Sequence, residues 1–358
     1  MNVTLDDDAR ELQTLAREIL SRQSTAERLA EVEQTPDRLD RELWAQLAEA
    51  GLLGAAVADA DGGLGLGVVG AALVAAEVGR TVAAVPFAAA ACATVVLGRH
   101  ASAAQKETWL ASMLDGTAIV VVAPPLSTAG LRFDDGRVSG MAVGVPWAHV
   151  AAALLLVIGD QVLLVRPGAD GVTSVRGETT ARQVALDLSF DGVSAERAGD
   201  TTAAQLCRES WLTLLAATQA GVTDAAVRMT AAYTSEREQF GKPLSTFQGV
   251  ALQAADAYVD SRAIDAVALQ AAWSLDSEVD ATPAVLTAAW WASDGGQRCV
   301  HRTQHLHGGI GADITYPLHR YFLWGKQIEL MCGAASAVLF ELGDALADRP
   351  LAGDAVHL

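Results

Sequence analysis

The sequence predicts an α+β fold that is mainly helical, with its strands gathered in the middle of the chain. Three observations carry this. Apolar residues near a 3.6-residue spacing, with heavy use of Ala, mark helices in the first and last thirds. Short β-branched runs separated by turn residues mark strands between them. The length, 358 residues with 51% hydrophobic and only 19% charged, suits two or three packed units with large cores and argues against disorder.

The expected units are 1–116 (helical), 117–200 (β) and 201–358 (helical). In the first, Leu12, Leu15, Ile19 and Leu20 form one apolar stripe, and Trp44, Leu47, Ala48 and Leu52 another. Gly51 and Asp61-Gly62-Gly63 read as breaks. Helices are expected over Ala71–Arg80, over Ala83–Leu97, which is apolar nearly all round, and over Gln105–Leu114. In the second unit, strands are expected at Ala118–Ala123, near Val138, and over Ala152–Ile158, Gln161–Arg166, Gly171–Val175 and Val184–Phe190. Asp134-Asp135-Gly136 reads as a hairpin turn, and the short spacing predicts a small antiparallel unit. In the third, helices are expected over Ala203–Ser235 with Gly221 as a weak interruption, Ser245–Trp273, Pro283–Leu306 and about Gly333–Ala347. The cluster Gly308-Gly309-Ile310-Gly311 breaks the chain before the last.

The net charge of −18 (43 acids, 25 bases) excludes the basic surface that duplex binding needs, so no nucleic-acid partner is expected. Cys92, Cys207, Cys299 and Cys332 lie far apart without a CxxC pair, and neither a metal site nor a disulfide framework is expected. The polar N-terminus lacks a signal-peptide pattern, and the apolar runs are too short to span a bilayer. The expected compartment is the cytoplasm.

Two segments carry chemistry. Arg237-Glu-Gln239-Phe240-Gly241, followed by Phe247-Gln248, joins two long helices. An Arg at a helix end suits a pyrophosphate because its fork matches phosphate oxygens, and Phe240 offers a flat face. Ser245-x-x-Gln248 also has the form of a capping box, in which Gln248 only ties down its own helix. In Gln304-His305-Leu-His307-Gly308-Gly309-Ile-Gly311, the glycines admit close approach of a ligand to the backbone. The two histidines, two residues apart, point to different sides of a helix.

These segments, together with Leu43-Trp44 through Gly51-Leu-Leu-Gly54, Gly62-Gly63-Leu-Gly65, Glu77-Val-Gly79-Arg80, Trp109-Leu110, Asp115-Gly116 and Tyr316-Pro317-Leu318-His319-Arg320, resemble the acyl-CoA dehydrogenase family over nearly the whole chain. The resemblance implies an N-terminal helical domain, a middle β-barrel domain and a C-terminal four-helix bundle. It implies α,β-desaturation of an acyl-CoA thioester, with FAD as cofactor and an electron-transfer flavoprotein as acceptor. In this family the FAD crosses a subunit interface. By resemblance Arg237, Gln239, Phe240, Phe247, Gln248, His305, Gly308 and Gly309 would hold its ADP end, with His305 where many members carry Gln.

The ring-side half departs from the family. Val121-Val122-Ala123-Pro124-Pro125-Leu126 lacks the hydroxyl expected beside the isoalloxazine, and Trp147 reads as packing or as a displaced flavin contact. The two family positions for the catalytic base fall on Cys332 and Trp211. Glu329, three residues before Cys332, and Glu209, facing away from Trp211, are the remaining candidate acids. The pattern is similar to the subunit without a base in heterotetrameric actinobacterial enzymes, which implies a second acyl-CoA dehydrogenase subunit as partner and a steroid side-chain CoA ester as substrate. The competing readings are a self-sufficient homotetramer with a relocated base and a non-enzymatic descendant that keeps only the fold.

Overall fold

The computed structural model describes residues 5–277 and 279–347. The first helices are α1 (Asp7–Gln23), α2 (Ala26–Glu33), α3 (Arg41–Glu49), α4 (Gly67–Thr81) and α5 (Phe87–His100). α6 (Ala103–Gln105), a π-turn (Lys106–Leu110) and α7 (Ala111–Leu114) form one further continuous rod. Asp6, Thr25 and Asp40 cap α1, α2 and α3 by accepting backbone N–H bonds, which explains where each begins. α2 lies outside the expected set; with two buried residues, Leu29 and Val32, it carries too little apolar periodicity to stand out.

The strands are β1 (Val120–Val122), β2 (Gly130–Asp134), β3 (Arg137–Pro146), β4 (Ala153–Ile158), β5 (Gln161–Val165), β6 (Val172–Glu178), β7 (Val184–Ser194) and β8 (Glu196–Gly199). They form two four-stranded sheets, ordered β1-β4-β5-β8 and β2-β3-β7-β6. The expectation of a wholly antiparallel unit is corrected at one edge: β1 runs parallel to β4, with Val121 opposite Leu154. The cause is the long β2–β3 excursion between them, which lets the chain re-enter in the same direction. The Asp134-Asp135-Gly136 turn is as expected, with Asp135 and Gly136 both at positive φ.

The remaining helices are α8 (Thr201–Glu236), α9 (Gln248–Leu275), α10 (Thr282–Trp290), α11 (Gly296–His307), α12 (Leu318–Met331) and α13 (Ala335–Ala347). A second π-turn (Trp291–Gly295) joins α10 to α11, and α8, α9, α10–α11 and α12 pack as a four-helix bundle. α12 was not among the expected helices. Its Tyr321-Phe322-Leu323-Trp324 run is apolar on successive residues, so it shows no helical period. Gly221 does not interrupt α8. Gly79 of α4 and Gly221 of α8 meet the opposing backbone directly: a Cβ at Gly221 would overlap the Ala76 carbonyl oxygen, and one at Gly79 the Thr218 carbonyl oxygen.

A small cluster, Leu286, Ala289 and Val338, seats α13 on α10, and one large apolar core runs from Leu20 and Leu47 through Val121 and Leu155 to Trp211 and Ile328. At its edge Glu77 is buried and accepts hydrogen bonds from Arg17, Arg80 and Gln13, which fastens α1 to α4. Replacing Glu77 by Ala removes the shared acceptor of Arg17, which is half exposed, and of Arg80, which keeps Asp224, and is expected to lower stability by ~1–2 kcal/mol, read as a shift in urea midpoint at unchanged slope. No single helix among the described residues is long and apolar enough to cross a membrane.

Candidate functional site

α8 ends at Arg237, whose backbone is held by Tyr233 and Leu244, and whose side chain is exposed with no ion-pair or hydrogen-bond partner among the described residues. A two-residue hairpin follows, Glu238–Gln239 against Lys242–Pro243. Its tip, Phe240-Gly241, has both residues at positive φ. A bulky residue in that region is strained, and Phe240 is held there with its ring 92% exposed. Phe240 meets Phe247 edge-on at 6.3 Å, and Lys242 Nζ lies 4.3 Å over the Phe247 ring. Gln239 and Gln248 are exposed. The N-cap of α9 is Phe247 with no side-chain cap, so the capping-box reading of Ser245 and Gln248 is overturned, and the Gln248 amide has no hydrogen-bond partner among the described residues. Ser245 lies instead within a 3-10 turn, Leu244–Thr246, and the helix is capped two residues later.

The second segment lies at the end of α11. His305 is exposed and His307 buried, the opposite orientations that their spacing predicts. Gly308 takes φ 65°, ψ −144°, a conformation open in practice only to glycine. Gly308 and Gly309 are exposed, and a Cβ on either would meet nothing within 4 Å, so the backbone there is open to a ligand. The two segments adjoin: Tyr233, one turn before Arg237, stacks on His307 with centroids 4.5 Å apart. Tyr233 itself is a residue that sequence reasoning missed, although its four-residue spacing from Arg237 places both on one helix face.

This donor set suits a diphosphate. It has an unpaired guanidinium, an unpaired amide and open glycine backbone, in a protein of net charge −18. Phe240 adds an exposed aromatic face.

The cleft between the middle sheets and the bundle has no room for the other end of such a ligand. Between the α4–α5 turn, β1, the end of β3, α8 and α12 there remains a cavity of about 50 Å³, lined by Trp147, Trp211, Trp324, Ile328 and Met331 among others. Cofactor sites occupy ~300–1,000 Å³, so a fused three-ring system does not fit. Trp211 and Trp147 are buried, the latter at φ 64°. Gln327 of α12 closes the space: its Oε1 accepts the Ala181 N–H and its Nε2 donates to Gln183 Oε1, both at 2.8 Å, strapping the β6–β7 turn over the tryptophans. Trp324, Gln183 and Gln327 carry no sequence signal of this role.

Neither Trp211 nor Cys332, the residues expected at the family's base positions, can accept a proton from a substrate at neutral pH. The Trp211 indole has no basic nitrogen. Cys332 is buried, and its thiol is pushed up to about 12 by that burial, partly offset by a hydrogen bond with Ser293. The two candidate acids point elsewhere. Glu209 accepts from Thr282 Oγ1 at 2.7 Å and from Gln205, and Glu329 is ion-paired to Lys326 at 2.5 Å. Neither lines the cavity.

The comparisons with known proteins agree with this architecture. Residues 6–117 match "Acyl-CoA dehydrogenase, N-terminal domain" and residues 213–339 "Acyl-CoA dehydrogenase, C-terminal domain". Acyl-CoA dehydrogenase FadE27 of Mycobacterium tuberculosis is 34% identical over 378 aligned residues, covering 98% of this chain and 100% of that protein. The Tcur3481-Tcur3483 steroid ACAD G363A variant has a chain of TM-score 0.92 and 41% identity, covering 96% of this chain and 99% of that one. The ChsE4-ChsE5 complex from Mycobacterium tuberculosis has a chain of TM-score 0.92 and 33% identity, with 98% and 100% covered. From its helices, sheets and bundle to these full-length matches, the chain belongs to the acyl-CoA dehydrogenase family of oxidoreductases.

Proposed function

We propose that this chain is the FAD-sharing subunit of a heteromeric acyl-CoA dehydrogenase, and that the ring, the base and the acyl group belong to the partner subunit. The carrying observation is the contrast between its two half-sites. Arg237, Gln239, Phe240, Phe247, Gln248, His305, Gly308 and Gly309 form or flank a surface left open for the ADP end of FAD, while the chain's own cleft is filled by Trp147, Trp211 and Trp324. FAD, when bound, supplies acceptance of the β-hydride during α,β-desaturation. This chain's residues bind and orient its diphosphate.

Partner contact has its own support. α9 exposes Leu252, Tyr258 and Val259, and α13 exposes Leu339 and Phe340, the last 77% accessible. Such apolar faces suit a subunit interface. Similarity to a chain of a steroid ACAD and to a chain of the ChsE4-ChsE5 complex supports an α2β2 assembly acting on a steroid side-chain CoA ester, with an electron-transfer flavoprotein as acceptor.

The test is the visible spectrum and mass of the chain purified alone and co-expressed with a second acyl-CoA dehydrogenase subunit. The expected result is a colourless protein alone and a yellow heterotetramer with one FAD per pair of unlike subunits. A yellow protein that bleaches with an acyl-CoA when alone would instead establish the self-sufficient reading and make Glu329 and Glu209 the residues to mutate. A complex without flavin would leave a structural descendant.

A further inference from the structure

His307 belongs to the last turn of α11, directly before Gly308, and is 3% exposed. Its ring lies 4.5 Å from Tyr233 at an interplanar angle of 19°, and 5.4 Å from Tyr316 at 50°. Tyr233 and Tyr316 also meet each other edge-on at 6.5 Å. This three-ring stack joins the end of α8, which carries Arg237, to the glycine loop and the segment that follows it.

The hydrogen-bond pattern fixes the tautomer. His307 Nδ1 is 2.8 Å from the Thr303 carbonyl oxygen, so Nδ1 carries the hydrogen and donates it. Nε2 is then an unprotonated acceptor, and it is buried with no hydrogen-bond partner among the described residues. Adding a proton there would place a cation between two phenol rings with no acceptor for its new N–H.

We propose that His307 is a positioning residue: as a neutral ring it holds the Arg237 segment and the Gly308–Gly309 loop in the mutual register that the FAD diphosphate requires. The inference rests on the FAD-sharing reading above. It adds that FAD retention depends on the protonation of a residue that does not touch the cofactor. Burial holds the His307 imidazolium below the usual histidine range. The sign follows from that depression. The unfolded chain, titrating near ~6.5, takes up the proton first, so the ordered stack is fully favoured above that pH. It is lost progressively as pH falls below it.

The other ionisable groups facing the stack have to be separated from this effect. Tyr233 and Glu236 come from α8, Tyr316 and Asp313 from the segment after the loop, and His305 from α11 itself. Tyr316 is raised by burial, then by Tyr233 and Glu236, and stays neutral throughout the acid range. Asp313 is lowered by hydrogen bonds with Thr315 and stays charged. His305 is exposed, on the opposite side of α11 from His307.

The experiment uses the holo-complex of this chain with its partner subunit. FAD retention after gel filtration is read as flavin absorbance per protein from pH 8 to pH 5.5, with mass measured in the same run. The wild type is expected to bind FAD about tenfold more weakly at pH 5.5 than at pH 8 while remaining assembled. His307→Phe, which keeps the stack and removes the titrating nitrogen, is expected to abolish that decline. His307→Ala is expected to weaken FAD about tenfold at every pH. A purely structural His307 would change thermal stability without changing the pH profile. Identical profiles for wild type and His307→Phe would overturn the proposal. An Arg237→Ala complex that keeps its FAD would instead overturn the FAD-sharing reading. Loss of FAD in Arg237→Ala with no effect at His307 would remove the present inference alone.

Discussion

Arg237→Ala is expected to release FAD from the assembled complex, weakening its binding by about 10- to 100-fold. A hydrogen bond between charged groups is worth ~1.5–3 kcal/mol, which corresponds to that range. The effect should be confined to binding, because the Arg237 side chain is exposed and pairs with nothing among the described residues. The thermal stability of the isolated chain should therefore change by less than ~0.5 kcal/mol. Arg237→Lys should fall between, since an ammonium keeps the charge and loses the fork. Flavin absorbance after dialysis, with calorimetric titration of FAD into the apo-complex, gives both quantities. Full retention of FAD by Arg237→Ala would refute the assignment of this surface.

Gly221→Ala is expected to be the most damaging single-methyl change in the chain. α4 and α8 cross with Gly79 and Gly221 against the opposite backbone, and the added Cβ would sit on the Ala76 carbonyl oxygen. A backbone oxygen cannot rotate away as a side chain would. The two helices would have to part within a core that includes Val78, Leu214, Leu215 and Val222. The expected loss is at least ~4 kcal/mol, above the usual range for overpacking because neither partner is flexible. Insoluble expression, or a denaturant midpoint far below wild type, is the result to look for. Ala at Gly249, whose Cβ would meet nothing within 4 Å, is the control and should be neutral.

The same glycine shows where sequence reading succeeds and where it stops. As a letter in a helical stretch, Gly221 reads as a weak point. Only the crossing of α4 and α8, which sets Gly221 against Ala76 from a distant part of the sequence, turns it into a fitted surface. The helix–strand–helix order was legible because it rests on local period. So were the opposite orientations of His305 and His307, and of Glu209 and Trp211, which follow from helix geometry alone. The parallel β1–β4 pair was hidden because strand direction depends on where the chain returns. α12 was hidden because its apolar run Tyr321 to Trp324 packs on more than one side, with Tyr321 bonded to the Arg80 carbonyl of α4 and Phe322 edge-on to His301 of α11. Whether the cleft is open was not legible: Trp147 read as packing or a displaced flavin contact, while Trp324 and the Gln327 strap entered only with tertiary packing.

The bare apolar faces of α9 and α13 have a consequence for how the chain is produced. A polypeptide that presents Leu252, Tyr258, Val259, Leu339 and Phe340 to water is a colloidal liability from the moment it leaves the ribosome. Its net charge of −18 slows self-association but does not cover those side chains. With the proposed partner subunit, the supply of the two chains has to be matched in time and amount, because a surplus of this one keeps those faces uncovered. Translating the two reading frames in tandem is the simplest arrangement that keeps the ratio near one.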